Sequence, residues 1–440
     1  MRLTLDSLLS KLPDLKPRQR LVVAYSGGLD SHVLLHALAQ LRDSGAQSFL
    51  LEALHIHHGI NQQADAWVEH CQLVCEQLQV QLIMKHVTCD LQQASLENQL
   101  RKARYKIFSD TLGEGDLLLL AHHSDDQAET LMLRMLRGAG AQGLAGMPAQ
   151  RSLGLGSLTR PLLSFTRADL EAYAQQQALR WVEDDSNADT VFDRNFLRHQ
   201  VMPALAQRWP YYRANFSRNA QVAKDAQQSL EYFLGRELQP QMIKYQGGLE
   251  CRWLRTYDVA VQINLLRSWL TLRGLPLPGQ RHLQQVLDEV VNARHDAQPL
   301  VNWRGADIRR FQDILFANAP MADHQAESTL SWGVEEVLLM PGAGQLTAVS
   351  RAGEGLYVSP GAKLSVRFRQ GGERCKVAGH AHSKLLKKLL NSLQLEPWLR
   401  DRLPLIYVND ELAALGDVAI CEGFQASAGQ QGYSLCWQRP

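Results

Sequence analysis

At 440 residues, 45% of them hydrophobic and 21% charged, the chain has an ordinary globular composition and too much length for one core, which suggests about three domains. A net charge of only +1 excludes a global basic field, so any nucleic-acid partner must be held by local patches. No run approaches the roughly 18 apolar residues of a membrane span, and residues 1–20 lack a signal-peptide core, so a cytoplasmic location and no membrane partner are expected.

Residues 21–25, Leu-Val-Val-Ala-Tyr, read as a buried strand, and helical spacing of Val33, Leu34, Ala37, Leu38 and Leu41 follows it. Between them stands Ser26-Gly27-Gly28-Leu29-Asp30-Ser31. Two glycines allow a tight turn and a close backbone approach, and the helix start presents N–H groups and a positive dipole end to an anion. Ser26 and Ser31 add hydroxyls, and Asp30 adds a carboxylate able to hold Mg2+ beside phosphates. The Walker lysine is missing, so this phosphate cradle is of another kind.

Further strands are predicted at 50–56, 81–87 and 116–121, with two weaker ones at 158–163 and 180–183. Helical patterns at 64–79, 95–112, 126–137 and 167–177 separate them. The alternation predicts an α/β fold, a doubly wound parallel sheet with ligands beyond the carboxyl ends of its strands. His55 closes the second strand, and the cluster His55, His57, His58 reads better as a nucleotide edge than as a zinc site. His122-His123-Ser124-Asp125-Asp126-Gln127 opens a helix, where Asp125 and Asp126 serve either as Mg2+ ligands or as simple helix-terminus charges. Glu97, Arg101 and Arg104 share one helix face, and Arg194 and Arg198 share another; each set suits either phosphate binding or surface pairing.

After residue 210 the pattern becomes mostly helical to about 272, then gives one helix at 281–293 and a strand pair at 301–303 and 307–316. Residues 317–327 read as a linker. The predicted division is 1–213, 214–320 (mostly helical) and 330–440 (α+β). In the last part, residues 371–402 hold seven Lys/Arg and three Asp/Glu, and a helix at 383–393 carries Lys384, Lys387 and Lys388. Such a helix is either a solvated amphipathic surface or, with Arg400, an RNA-docking face. The seven cysteines are odd in number and scattered, which predicts reduced thiols, with Cys71 and Cys75 on a buried helix face.

The 26–31 loop resembles the pyrophosphate loop of the N-type ATP pyrophosphatases. Nearly the whole chain resembles the bacterial tRNA(Ile)-lysidine synthetases. Carrying that resemblance are Gly143-Leu144-Ala145-Gly146-Met147, Arg160-Pro161-Leu162-Leu163, Asp185-Ser186-Asn187, Arg194-Asn195-Phe196-Leu197-Arg198, and a tail with Lys384, Lys387, Lys388 and Pro397-Trp398-Leu399-Arg400. The resemblance implies an adenine-nucleotide α-hydrolase-like fold and ATP-dependent joining of free L-lysine to the wobble cytidine of a CAU-anticodon tRNA(Ile). It implies ATP at Ser26, Gly27, Gly28, Leu29, Asp30, Ser31 and His55, and Mg2+ at Asp30, Asp125 and Asp126. It also implies charge stabilisation by Arg104, Arg194 and Arg198, and tRNA at Lys384, Lys387, Lys388 and Arg400. It leaves a homodimer open. A thiolase of the same superfamily is the nearest alternative, but it calls for Cys-x-x-Cys pairs, which this sequence lacks. A non-catalytic tRNA-binding protein on this fold is disfavoured by the intact loop and Asp125-Asp126.

Overall fold

The computed structural model describes residues 2–45, 47–57, 64–87, 96–183, 189–294, 297–380 and 382–440. The expectations placed on His58 and on Asp185-Ser186-Asn187 lie outside them, as does the Glu97 side chain. Contacts divide the chain into two compact units, Met1–Leu230 and Glu231–Pro440.

The first unit is the expected α/β fold. Strands β1 (Gln19–Ala24), β2 (Phe49–His57), β3 (Gln81–His86), β4 (Leu117–Leu119), β5 (Gln150–Leu153) and β6 (Gly156–Thr159) form a six-stranded sheet in the order β3-β2-β1-β4-β6-β5. All neighbours run parallel except β5, which turns back on β6 as an edge hairpin. The helices are α1 (Leu5–Leu9), α2 (Leu29–Asp43), α3 (Ala64–Gln77), α4 (Leu96–Thr111), α5 (Ser124–Leu136), α6 (Ala141–Leu144) and α7 (Arg167–Gln176). Alternation along β1 divides its side chains between two cores. Leu21 and Val23 pack with Val33, Leu34 and Leu170 of α2 and α7. Val22 packs with Phe108 and Leu112 of α4. The sheet is thus covered on both faces, and its polar edge is left at the strand ends.

Two of the weaker strand expectations change. β6 is shorter than 158–163, because Pro161 supplies no ladder N–H. Residues 180–183 form no strand; instead Val182 N–H donates to Gly27 O at 3.0 Å, so this segment lies over the glycine loop. The boundary expected at 213 falls inside one continuous helix, Tyr212–Lys244.

The second unit holds two hydrophobic cores. The first gathers Trp269, Leu265 and Leu266 of the helix Val259–Leu272 with Leu283, Val286 and Ile308. The expected strand pair there is a three-stranded meander, Leu300–Trp303, Ala306–Phe311 and Ile314–Asn318, joined by Leu249–Glu250 into a four-stranded antiparallel sheet. Gln312 and Asp313, with φ of 51° and 63°, make the turn that breaks the 307–316 run. The other core, with Val366, Ile406, Leu389, Leu390 and Trp437, lies among antiparallel strands. Here Cys375 and Cys421 form a disulfide with Cα atoms 6.2 Å apart, contrary to the expectation of reduced thiols. The pairing spans 46 residues and has no signature in local spacing. Cys71 and Cys75 are buried free thiols of α3. Among the described residues no helix is long and apolar enough to cross a membrane.

Candidate active site

The 26–31 loop leaves β1 and enters α2 as the spacing predicts. Gly27 sits at φ 84°, a conformation that favours glycine, and a Cβ there would meet Cys71 Sγ at 3.0 Å. Gly28 is the N-cap of α2 and supplies no side-chain cap, so the first N–H groups of the helix remain available to an anion. Ser31 Oγ donates to Gly28 O at 3.0 Å and accepts the Ser26 N–H at 3.2 Å, fixing the shape of the loop. His55 lies beneath it, buried, with Nδ1 3.0 Å from Tyr25 O. Burial lowers its pKa, and it is not part of the cleft lining.

A cleft of about 840 Å³ opens over the loop, lined by Ser26, Gly28, Asp30, His123, Asp125, Glu129 and Arg198 among others. His123 is the N-cap of α5 in a capping box: its N–H donates to Asp126 Oδ2 at 3.0 Å and its Nδ1 faces the Asp126 N–H at 3.4 Å. The box fixes the start of α5, so Asp125 is directed into the cleft while Asp126 and Glu129 are turned toward the arginines. Arg194 donates to Asp126 Oδ1 and Glu129 Oε2, each at 2.8 Å. Arg198 donates to Glu129 Oε1 at 2.7 Å and Asp126 Oδ1 at 3.1 Å. The spacing of Arg194 and Arg198 by four residues thus brings both onto one pair of buried carboxylates.

Arg167 and Arg213 are the residues that the sequence analysis misses. Arg167 Nη1 reaches both oxygens of Asp30 at 2.8 Å, and its backbone N–H donates to Asp125 Oδ2 at 2.9 Å. Arg213 Nε donates to Asp125 Oδ1. Arg167 is the first residue of α7 behind the Thr166 cap, and Arg213 opens the helix Tyr212–Lys244. Both read locally as ordinary helix-start residues, and only the fold brings them to carboxylates 137 and 88 positions away.

These contacts separate the carboxylates. Burial raises the pKa of Asp30, with His123 and Arg167 pulling against it. Burial opposes ionisation of Asp125 too, yet His123, the Arg167 amide and Arg213 together hold it well below the usual carboxylate range. Asp126 is likewise held down against burial by His123 and Arg194. The adjacent histidines diverge: burial pushes His122 down to about 3, whereas Asp125, Asp126 and Asp30 raise His123 despite its burial. The described residues hold no cluster of three metal-ligating side chains. The donor set nonetheless suits Mg2+, which takes one or two carboxylates plus phosphates and water. Asp30 and Asp125 line the cleft, whereas Asp126 does not, its oxygens being taken by His123, Arg194 and Arg198.

A chain from Coxiella burnetii described as tRNA(Ile)-lysidine synthase is 42% identical over 440 residues, covering 99% of this chain and 97% of that protein. The chain belongs to the tRNA(Ile)-lysidine synthase family. A Serratia proteamaculans member is 42% identical across 96% of both chains. Three family models match in succession: the PP-loop domain over residues 1–205, the TilS substrate binding domain over 249–316 and the TilS substrate C-terminal domain over 364–437.

Within the match to the family's C-terminal domain, the expected helix is shorter, Leu386–Ser392, and Lys384 sits on a short strand instead. Lys384, Lys387 and Lys388 are exposed, while Leu386, Leu389 and Leu390 are buried. Arg400 differs from them: its Nε donates to Leu395 O at 2.8 Å and another N–H to Asn391. Its guanidinium anchors the end of this helix.

Proposed function

We propose that the chain joins free L-lysine to C2 of the wobble cytidine of a CAU-anticodon tRNA(Ile), consuming ATP and releasing AMP and pyrophosphate in the cytoplasm. The observation that carries this reading is the uncapped α2 start opening onto the Asp30–Asp125 cleft, in a chain that aligns with its family from end to end. The cytidine O2 attacks the α-phosphorus of ATP, and as that O–P bond forms, the bond to the bridging oxygen breaks and pyrophosphate leaves. The lysine Nε then attacks C2, the C2–O2 bond breaks, and AMP carries the oxygen away.

The N–H groups of Gly27, Gly28, Leu29, Asp30 and Ser31, with the hydroxyls of Ser26 and Ser31, bind the departing pyrophosphate. Asp30 and Asp125 hold Mg2+, which when bound offsets charge on the phosphates. Asp126 and Glu129 act by aiming Arg194 and Arg198, which with Arg104 offset charge developing at the α-phosphate. His55 holds the loop from beneath through Tyr25 O. A free lysine ammonium has a pKa of about 10.4, so the site must also take up a proton before attack. The chain works as three parts, 1–213, 214–320 and 330–440, with Lys384, Lys387 and Lys388 as the tRNA-facing charges of the last. One copy lines the whole cleft, so a dimer is not needed for the chemistry.

The test is incorporation of labelled lysine into isoleucine and methionine tRNA transcripts that share a CAU anticodon. Label on the isoleucine tRNA alone, with AMP and pyrophosphate released, is the expected result. Pyrophosphate release without label keeps the adenylation and rejects lysine as the nucleophile.

A further inference from the structure

On the other side of His122 from the carboxylates stands a group of arginines that the reaction above does not use. Arg101 comes from α4, Arg134 from α5 and Arg151 from β5, and Arg160 directly follows β6. Three of them close around Tyr105. The guanidinium carbons of Arg101 and Arg151 each lie 5.1 Å from its ring centroid, and Arg160 Nη2 donates to its hydroxyl at 3.3 Å. Arg160 is only 4% exposed, and its other bonds go to Pro148 O at 2.7 Å and His122 Nδ1 at 3.1 Å. All three of these acceptors are neutral. Arg134 likewise donates to two carbonyls, Gly143 O at 2.7 Å and Gly146 O at 2.8 Å. Among the described residues, no carboxylate forms an ion pair with Arg101, Arg134, Arg151 or Arg160.

Burying a charge without a counter-charge costs several kcal/mol, by an order-of-magnitude rule, and an anionic ligand is the natural partner that removes the cost. The group's own chemistry registers the imbalance. Burial lowers the Arg160 pKa, and Arg151 and Arg101 lower it further. Burial alone would raise the Tyr105 phenol, yet Arg101, Arg160, Arg151 and Arg104 bring it below its ordinary value. Two guanidiniums already cover the Tyr105 ring, so what the group offers a ligand is forked N–H donors, which match phosphate oxygens. β6 lies two strands from β1 in the sheet, so the group is about 10 Å from the glycine loop by strand spacing alone. That separation gives a phosphate seat of its own, next to the cleft but outside the pyrophosphate cradle.

We propose that Arg101, Arg151 and Arg160, set around Tyr105, form a second phosphate-oxygen site that holds a backbone phosphodiester of the substrate RNA beside the base being modified. The identity of the RNA rests on the function proposed above; the anion chemistry does not.

Arg101 and Arg151 are exposed, so Arg101→Gln and Arg151→Gln test the site in the full-length chain without opening the core, and thermal melting checks the fold of each. Binding of a CAU-anticodon tRNA transcript, and of its isolated anticodon stem-loop, is measured over a salt series without ATP or lysine. Each variant is expected to raise Kd several-fold for both RNAs and to reduce the slope of log Kd against log salt by about 0.7–0.9. Pyrophosphate and a non-hydrolysable ATP analogue are expected to bind as to the unaltered chain. Unchanged Kd and slope in both variants would overturn the proposal. Loss of pyrophosphate or nucleotide binding with RNA binding intact would overturn it too, by assigning the site to the nucleotide. Arginine-dependent RNA binding by a chain that transfers no lysine would keep the site and reject the reaction.

Discussion

The two sides of the His122–His123 dipeptide are built on opposite electrostatic rules. Toward α7, each of Asp30, Asp125, Asp126 and Glu129 is met by at least one guanidinium, and Asp126 and Glu129 by two. Toward β5, Arg151 and Arg160 gather around a phenol and backbone carbonyls. The first region is balanced within itself and therefore rigid. The second carries charge in excess of what the described residues return. One sheet edge thus presents a positioned acidic constellation and an anion seat, the arrangement that chemistry at a polyanion's base requires.

The largest break in this contrast comes from Asp126→Ala. It leaves Arg194 and Arg198 sharing Glu129 alone, and removing one member of such a network costs about 3 kcal/mol or more. The melting temperature should fall, and lysine transfer should drop at least about a hundredfold. Asp30→Asn removes the charge that Arg167 grips by both oxygens, yet it lies away from the packed core. Lysine transfer should be lost while tRNA affinity stays near that of the unaltered chain; equal loss of both in a folded variant would reject the role given to Asp30. Lys387→Glu reverses an exposed charge in the second unit and should weaken tRNA binding several-fold with a flatter salt dependence. The smallest effect is spectroscopic. The Tyr105 phenol, isolated by ultraviolet difference against Tyr105→Phe, should ionise at lower pH than an ordinary tyrosine, and Arg101→Gln should move it back up. No movement would mean that the arginines do not set its environment.

The parallel sheet was legible because the apolar runs at 21–25, 50–56 and 81–87 alternate with helical periodicity, and the glycine loop was legible because only glycine suits the turn at Gly27. The paired arginines could be read because four residues is one helical turn. Arg167 and Arg213 could not, since their partners come from loops far away in sequence. Nor could the arginine group: Arg101 belongs to a helix face, Arg151 to an edge hairpin that no apolar pattern announces, and Arg160 to a strand end. Local patterns encode elements, while charge compensation is a property of the assembled sheet edge.

The helical run that carries Arg194 and Arg198 is not uniform: Asp193–Phe196 and Met202–Arg208 are α-helical, but Leu197–Val201 between them is a π turn. A π turn is an α-helix with one residue inserted, and such insertions persist mainly where a site depends on them. Deleting one residue there would restore a regular helix and swing everything after it by about 100°, the rotation of a single helical residue. Arg194 would keep its grip on Glu129, but Met202, Pro203 and Ala206 would turn away from the cleft wall they now form. Residues 197–201 therefore tolerate substitution far better than any change in length.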